Sequence, residues 1–266
     1  LCSKDGPRRF AGFFDGEVYD ANLEQAEDWS FQPSRLYKGR APRIVPEFGD
    51  RTIRHDRLSP VSQTDTKGGI LYDFGKNFAG IVHLDLEAPA GTRIVVRHAE
   101  LLASDGSLST ENLRTAKAQI IYICKNGPQS FEPLFTYMGF RYVQITGLKP
   151  AQIKGVHAYE LYADTPLTGD FSCDNELINQ LQRNIITTQK ANFIDIPTDC
   201  PQRDERVGWT GDIAIYAGAA CFNMNTARFL RKWLRDLRSE QDRALGNIPY
   251  VIPTGNLAWM RIAPSP

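Results

Sequence analysis

Ile81-Val82-His83-Leu84-Asp85-Leu86 sets Val82, Leu84 and Leu86 on every second position, with His83 and Asp85 between them. A period of two is the mark of a half-buried strand. Similar short runs rich in Val, Ile, Tyr and Phe lie on either side: Ile70 to Phe74, Arg93 to His98, Gln119 to Cys124, Tyr142 to Thr146 and Val156 to Leu161. Turn chemistry separates them at Pro89-Ala90-Gly91, Asp105-Gly106 and Asn126-Gly127. Residues 66–165 therefore read as an antiparallel β-sandwich.

Outside this block the texture changes. Residues 1–65 are broken by Pro7, Pro33, Pro42, Pro46 and Pro60, and Trp29 to Pro46 reads as connecting chain. Asp15-Gly16 is a turn dipeptide between aromatic and β-branched residues. After Pro166 the period becomes helical. Leu177, Leu181 and Ile185 recur every four residues, and Asp174 is the expected N-cap. A second helix is expected from about Gly211 to Phe222. A third, from about Thr226 to Asp242, has Phe229, Leu230, Trp233, Leu234 and Leu237 as its apolar stripe. Its charges, Arg228, Arg231, Lys232, Arg235, Asp236, Arg238 and Glu240, read as a solvated face, with a binding surface as the other reading. The fold class is thus multidomain, β then α.

The 266 residues carry 31 basic and 31 acidic side chains, a balance that argues against a general nucleic-acid partner. No apolar run approaches the ~20 residues of a membrane span. No signal peptide is legible after Leu1, where Lys4, Asp5, Arg8 and Arg9 interrupt any apolar stretch, and a cytoplasmic location is the expectation. Five cysteines, Cys2, Cys124, Cys173, Cys200 and Cys221, show no metal-ligand spacing and read as free thiols. No cofactor is implied, and nothing specifies an oligomer.

The densest chemistry lies between helices, from Asn192 to Asp212. Asp195, Asp199, Asp204, Glu205 and Asp212 crowd together with Arg203, Arg206 and Trp209. Pro197 and Pro201 exclude a continuous helix and make this an ordered loop. Carboxylates and Arg hold sugar hydroxyls, and an indole packs on a pyranose face. Glycoside hydrolysis needs one protonated carboxyl and a second carboxylate. Crowding is expected to raise the pKa of at least one of them. Surface ion pairing of Arg203, Asp204, Glu205 and Arg206 is the plain alternative. Metal ligation by Asp195, Asp199 and Asp212 lacks a recognisable spacing. A nucleophilic Cys200 lacks a nearby His.

Asp199-Cys200-Pro201-Gln202-Arg203-Asp204-Glu205-Arg206-Val207-Gly208-Trp209-Thr210-Gly211-Asp212 resembles the signature of the bacterial and fungal α-L-rhamnosidases that invert anomeric configuration. Tyr72 to Gly80, His98-Ala99-Glu100, Thr110 to Arg114 and Phe135 to Tyr142 resemble the β-sandwich, concanavalin-like, that precedes the catalytic barrel in that family. Asp15 to Ala21 resembles the end of a further N-terminal sandwich. The resemblance implies three parts: 1–65, the end of an N-terminal β-sandwich domain plus linker; 66–165, a β-sandwich; and 166–266, the N-terminal helices of an (α/α)6 barrel. It implies Glu205 as general acid and a rhamnose-containing glycoside as substrate. Asp199, Arg203, Trp209 and Asp212 would hold the sugar, Asp204 would sit beside the acid, and Cys200 would pack.

Trp259 matches a tryptophan of the sugar pocket, after which the family continues Trp-Gly-Asp-Ala. Here the chain continues Met260-Arg261-Ile262-Ala263-Pro264-Ser265-Pro266. The family's general base comes from a later helix with no counterpart in these residues. The expectation is a C-terminally truncated enzyme, inactive or weak. Inversion needs two carboxyls about 6.5–9.5 Å apart, and a missing base costs roughly 10²–10⁴-fold. A second reading is a non-catalytic carbohydrate-binding module using Tyr72, Phe78, Phe135 and Tyr137. A third is a structural or interaction fragment.

Overall fold

A computed structural model describes residues 6–24, 46, 48–243 and 246–254. Most of the stretch from Trp29 to Pro46 lies outside them, as do Cys2 and Trp259. The strands are β1 (Arg8–Gly12), β2 (Gly16–Asp20), β3 (Thr52–Leu58), β4 (Ser62–Thr66), β5 (Gly69–Ala88), β6 (Arg93–Ala99), β7 (Leu101–Leu102) and β8 (Leu108–Ser109). They continue with β9 (Gln119–Ile123), β10 (Gly127–Phe131), β11 (Met138–Thr146) and β12 (Ile153–Ala163). The helical part holds α1 (Glu176–Asn192), α2 (Thr210–Asn223) and α3 (Ala227–Arg243), with a small ladder of β13 (Gly208–Trp209) and β14 (Val251–Ile252). The order is β then α, as the sequence predicts.

One ten-stranded sheet runs β1-β2-β9-β6-β11-β5-β12-β3, with β4 and β10 also on β5. The runs Ile70 to Phe74 and Ile81 to Leu86, separate in the sequence reading, belong to the single strand β5. Its first half pairs with β4 and β11, its second with β10 and β12. The change of partner falls at Gly80, which faces both Met138 and Glu160. A Cβ there would lie 2.2 Å from the Tyr159 carbonyl oxygen, so only glycine admits the close approach of β12. Residues from β5, β6, β9, β10, β11 and β12 converge in one buried cluster, so the sheet curls around its own core. The alternation holds where it was read: Val82, Leu84 and Leu86 are buried, while His83 and Asp85 are half-exposed.

The stretch before residue 66 is part of this sheet. The Asp15-Gly16 turn joins β1 to β2, β2 pairs in parallel with β9, and β3 and β4 border β12 and β5. Hydrogen bonding therefore crosses residue 65, where the sequence reading put a boundary. Parallel pairing of segments a hundred residues apart leaves no local pattern to read.

The helices begin close to where periodicity sets them. The N-cap of α1 is Asn175, not Asp174: its side-chain oxygen accepts from the Leu177 amide at 3.0 Å. The stripe at Leu177, Leu181 and Ile185 is not buried. Leu177 is 82% exposed, and on α2 Ile215 and Phe222 are 90% and 76% exposed. These two helices present apolar faces that nothing among the described residues covers. In α3, Phe229 and Trp233 are buried with Phe193, Ile213 and Ile252, forming the small helical core. A third cluster, Ala79, Ile81, Tyr137, Ala191 and Ile194, seats the end of α1 on the outer face of the sheet.

Candidate active site

The loop from Phe193 to Trp209 is clamped from both sides. Its floor is β11. A Cβ on Gly139 would stand 2.9 Å from both the carbonyl carbon and Cγ of Pro201. Glycine thus lets the loop lie directly on the strand. Gly139→Ala is expected to lift the loop at a cost of about 1–3 kcal/mol. Urea unfolding measures that cost, and unchanged stability would mean the loop shifts freely.

Arg206 is the pin. It is buried, with φ at 52°, and its guanidinium donates to three carbonyl oxygens: Nε to Arg203 at 3.1 Å, Nη2 to Gln202 at 2.9 Å and Nη1 to Tyr137 at 2.8 Å. Its charge also lies over the Tyr137 ring, 5.1 Å from the centroid. Burial lowers its pKa, although the guanidinium stays charged. At the other end, β13 and β14 pair Trp209 with Val251 and hold the indole in place.

Within this frame four of the expected residues form one bonded network. Asp199 Oδ1 accepts from the Val207 amide at 3.0 Å, and Arg203 Nη2 donates to Asp199 Oδ2 at 3.2 Å. Arg203 Nε donates to Glu205 Oε2 at 3.0 Å, and the Trp209 indole Nε1 donates to Glu205 Oε1 at 2.9 Å. A fifth member comes from the sheet domain: Arg114 Nη1 donates to the same Glu205 Oε2 at 3.0 Å. Arg114 closes a short 3-10 turn in the connection from β8 to β9, with φ 57° and ψ −114°, a conformation unusual for any residue but glycine. Strained backbone of this kind is found where a side chain must be aimed. The resemblance covered Arg114, but no role followed for it. Its partner lies 91 positions away, and only the folded chain joins them.

Glu205 departs from the expectation drawn from crowding. Burial pushes its carboxyl up. The Trp209 N–H and the charges of Arg203 and Arg114 outweigh that and hold it below the ordinary Glu value. The carboxylates were counted in the sequence, but the cations that face Glu205 could not be. The resulting stabilisation is present above the unfolded Glu value of ~4.3 and is lost as pH falls through the lower folded value. Arg114→Ala removes one of the two cations and is expected to move the Glu205 titration upward. Carbon-13 NMR of the carboxyl reads the shift directly. An unmoved titration would assign the depression to Arg203 and Trp209 alone.

Of the remaining site residues, Asp204 touches the network through Arg114, whose Nη1 is 3.9 Å from its Oδ1, and the others stand apart. Asp204 Oδ2 accepts from the amide and hydroxyl of Thr115, which ties the loop to the sheet domain and lowers the Asp204 pKa. Asp212 is exposed in the first turn of α2, and its side chain makes no hydrogen bond or ion pair among the described residues. Asp195 pairs with Lys232 at 2.8 Å, so one charge of the α3 run faces the loop while Arg228, Arg231, Arg235 and Arg238 are exposed. Cys200 is buried and its thiol is pushed up to about 12, chiefly by burial, which makes it inert. Cys124, Cys173 and Cys221 are also free. The aromatics of the carbohydrate-module reading are mostly core: Tyr72, Phe78 and Tyr137 are buried, and Phe135 alone is exposed.

Two clefts meet at Thr198. One, of about 800 Å³, lies between the sheet domain and α3 and is lined by Glu205, Phe14, Phe135 and Tyr137. The other, of about 830 Å³, lies between α1 and α2 and is lined by Asp199, Asp212 and Tyr216. A shielded carboxyl beside an indole and two guanidinium groups, at the edge of a cleft, offers one of the two carboxyl groups that glycoside hydrolysis requires.

Comparison with known proteins agrees on the class and narrows it. Residues 63–162 match the bacterial α-L-rhamnosidase concanavalin-like domain, and residues 166–265 match the bacterial α-L-rhamnosidase 6 hairpin glycosidase domain. The α-L-rhamnosidase of Streptomyces avermitilis is 39% identical over 248 residues, 89% of this chain and 24% of that protein. Its crystal structure, complexed with L-rhamnose, superposes with a TM-score of 0.86 at 37% identity, covering 93% of this chain and 25% of that one. The α-L-rhamnosidase from Dictyoglumus thermophilum gives 0.85 at 35% identity, covering 93% and 29%. The chain belongs to the bacterial α-L-rhamnosidase family and spans about a quarter of the length of these relatives.

Proposed function

We propose that this chain carries the acid half of an α-L-rhamnosidase site, for hydrolysis of terminal α-L-rhamnose from a glycoside with inversion at the anomeric carbon. The observation that supports it most is the convergence of Arg203, Trp209 and Arg114 on the Glu205 carboxyl at the edge of a cleft. Glu205 gives its proton to the glycosidic oxygen as the bond to the anomeric carbon breaks. Water attacks the opposite face, and its proton goes to a general base. Asp199, Arg203, Trp209, Asp212 and Trp259 bind the sugar. Asp204 acts by anchoring the loop.

The low pKa of Glu205 sets a requirement on this reading. With both guanidinium groups in place the carboxyl is ionised at neutral pH and is no acid. A carboxyl of ordinary pKa is also ionised at neutral pH, so the proton returns only if bound sugar both draws Arg203 away and excludes water around Glu205, adding to the upward push of burial. On the same reading the general base is not among these 266 residues. Asp199 and Asp204 are committed to the loop by hydrogen bonds of their own. Turnover of water by this chain is then slight or nil.

L-rhamnose titrated against the chain is expected to raise its melting temperature and change its tryptophan fluorescence. Trp209→Ala should cancel both effects, and D-mannose should produce neither. A folded chain indifferent to L-rhamnose would overturn the reading.

A further inference from the structure

On the outer face of the sheet, remote in sequence from the loop, β5 and β12 set His83 directly opposite His157. Their rings stack with centroids 4.4 Å apart. Asp85 lies two residues along β5 on the same face, and its Oδ1 is 3.0 Å from His83 Nε2. Glu132, just past β10, brings Oε2 to 3.2 Å from His83 Nδ1. Each ring nitrogen of His83 therefore faces a carboxylate oxygen. Whichever nitrogen carries the N–H, the other offers a lone pair beside carboxylate oxygen, a donor set that suits a metal cation.

A second feature is independent of that one. His157 is only 6% exposed, yet among the described residues neither of its ring nitrogens makes a hydrogen bond. Its unpartnered nitrogens still reach solvent and so are open to a ligand. Here its lone pair lies in the same knot as the others: ligand atoms of His83, Asp85 and His157 all fall within 4.8 Å of one another.

We infer that His83, His157 and Asp85 form a binding site for a divalent transition-metal ion, zinc being the best match, with His83 ligating through Nε2 and its Nδ1 turned to Glu132 as an outer contact. Two imidazoles and carboxylate oxygen suit zinc, whereas calcium and magnesium take oxygen alone. Zinc bonds of ~2.0–2.1 Å place neighbouring ligand atoms about 3.3 Å apart. Asp85 already stands 3.0 Å from His83 Nε2, so reaching that value requires the stacked His157 ring to turn a nitrogen toward the ion. The outer contacts are already present: the Ser130 hydroxyl donates to Asp85 Oδ1 and orients it, and Arg54 pairs with Glu132. The bound ion would clamp β5 and β12 together.

The test is calorimetric titration of the chelator-washed chain with zinc chloride, alongside the absorption spectrum with cobalt(II). The expected result is one ion per chain, with a visible cobalt band that reports imidazole ligation. His83→Gln and Asp85→Asn should each weaken zinc binding at least about tenfold, and Ser130→Ala about tenfold through the outer contact. Melting curves in chelator that superimpose on the parent's certify each variant as folded. Asp85→Asn, at a half-exposed position, carries the test if His83→Gln does not fold. Zinc binding should survive Glu205→Gln. Loss in that variant would put the ion at Asp199, Cys200 and Glu205 instead, and would overturn the proposal. Absence of binding in the parent, or undiminished binding in the His83 and Asp85 variants, would overturn it equally.

Discussion

With azide supplied in place of water and its base, Glu205→Gln is expected to slow rhamnoside cleavage at this site by about 10²–10⁴-fold, the usual contribution of a general acid. The substitution keeps the shape and an acceptor for the Trp209 indole, but removes the proton. The loss should depend on the leaving group. An alkyl rhamnoside, whose alkoxide cannot depart unprotonated, should lose the full amount. A nitrophenyl rhamnoside, whose phenolate leaves unaided, should lose much less. Stability should change by no more than about 1–2 kcal/mol, because Arg203 keeps Asp199 as partner and Arg114 is largely in water. An equal loss for every leaving group would show that Glu205 positions the substrate and does not protonate it.

Arg206→Ala is expected to be the most damaging single change to the fold around the site. Three carbonyl oxygens lose a charged donor at once, and the Tyr137 contact is in the interior. A hydrogen bond to a charged group contributes ~1.5–3 kcal/mol, and an acceptor left buried costs ~1–3 kcal/mol. A loss of at least about 3 kcal/mol follows, a large part of the ~5–15 kcal/mol that holds a typical domain together. Urea denaturation measures it. Arg206→Lys should recover only a fraction, since one ammonium cannot span carbonyls on both the loop and Tyr137 just ahead of β11. A variant as stable as the parent would show that the loop is held by Asp204 and Gly139 alone.

What the sequence disclosed and what it withheld divide along one physical line. Local pattern disclosed the strands at Ile81 to Leu86, the proline-broken loop and the three helices, because alternation, φ restriction and helical period are properties of neighbours. The motif around Glu205 disclosed the candidate acid. Pairings made over long separations stayed hidden. The parallel register of β2 on β9, the continuity of β5 through Gly75 and Gly80, and the reach of Arg114 to Glu205 have no signature in adjacent residues. The pKa expectation failed for the same reason: the cations that depress Glu205 include one from the sheet domain. The helical stripe was read correctly as apolar, but amphipathicity states which face wants cover, not whether cover is there. Leu177 and Ile215 stand in solvent.

The most direct test of the account supplies the missing partner from solution. Sodium azide replaces water and its base: azide attacks the anomeric carbon, the bond to the aglycone oxygen breaks, and Glu205 delivers the proton to that oxygen. With a phenyl α-L-rhamnoside the chain should release almost no phenol in buffer. It should release phenol in proportion to azide, with rhamnosyl azide as the other product, and Glu205→Gln should abolish the azide-dependent rate. An azide-dependent rate that is equal in the two proteins, or absent from both while L-rhamnose binds, would contradict the assignment of Glu205 as the acid.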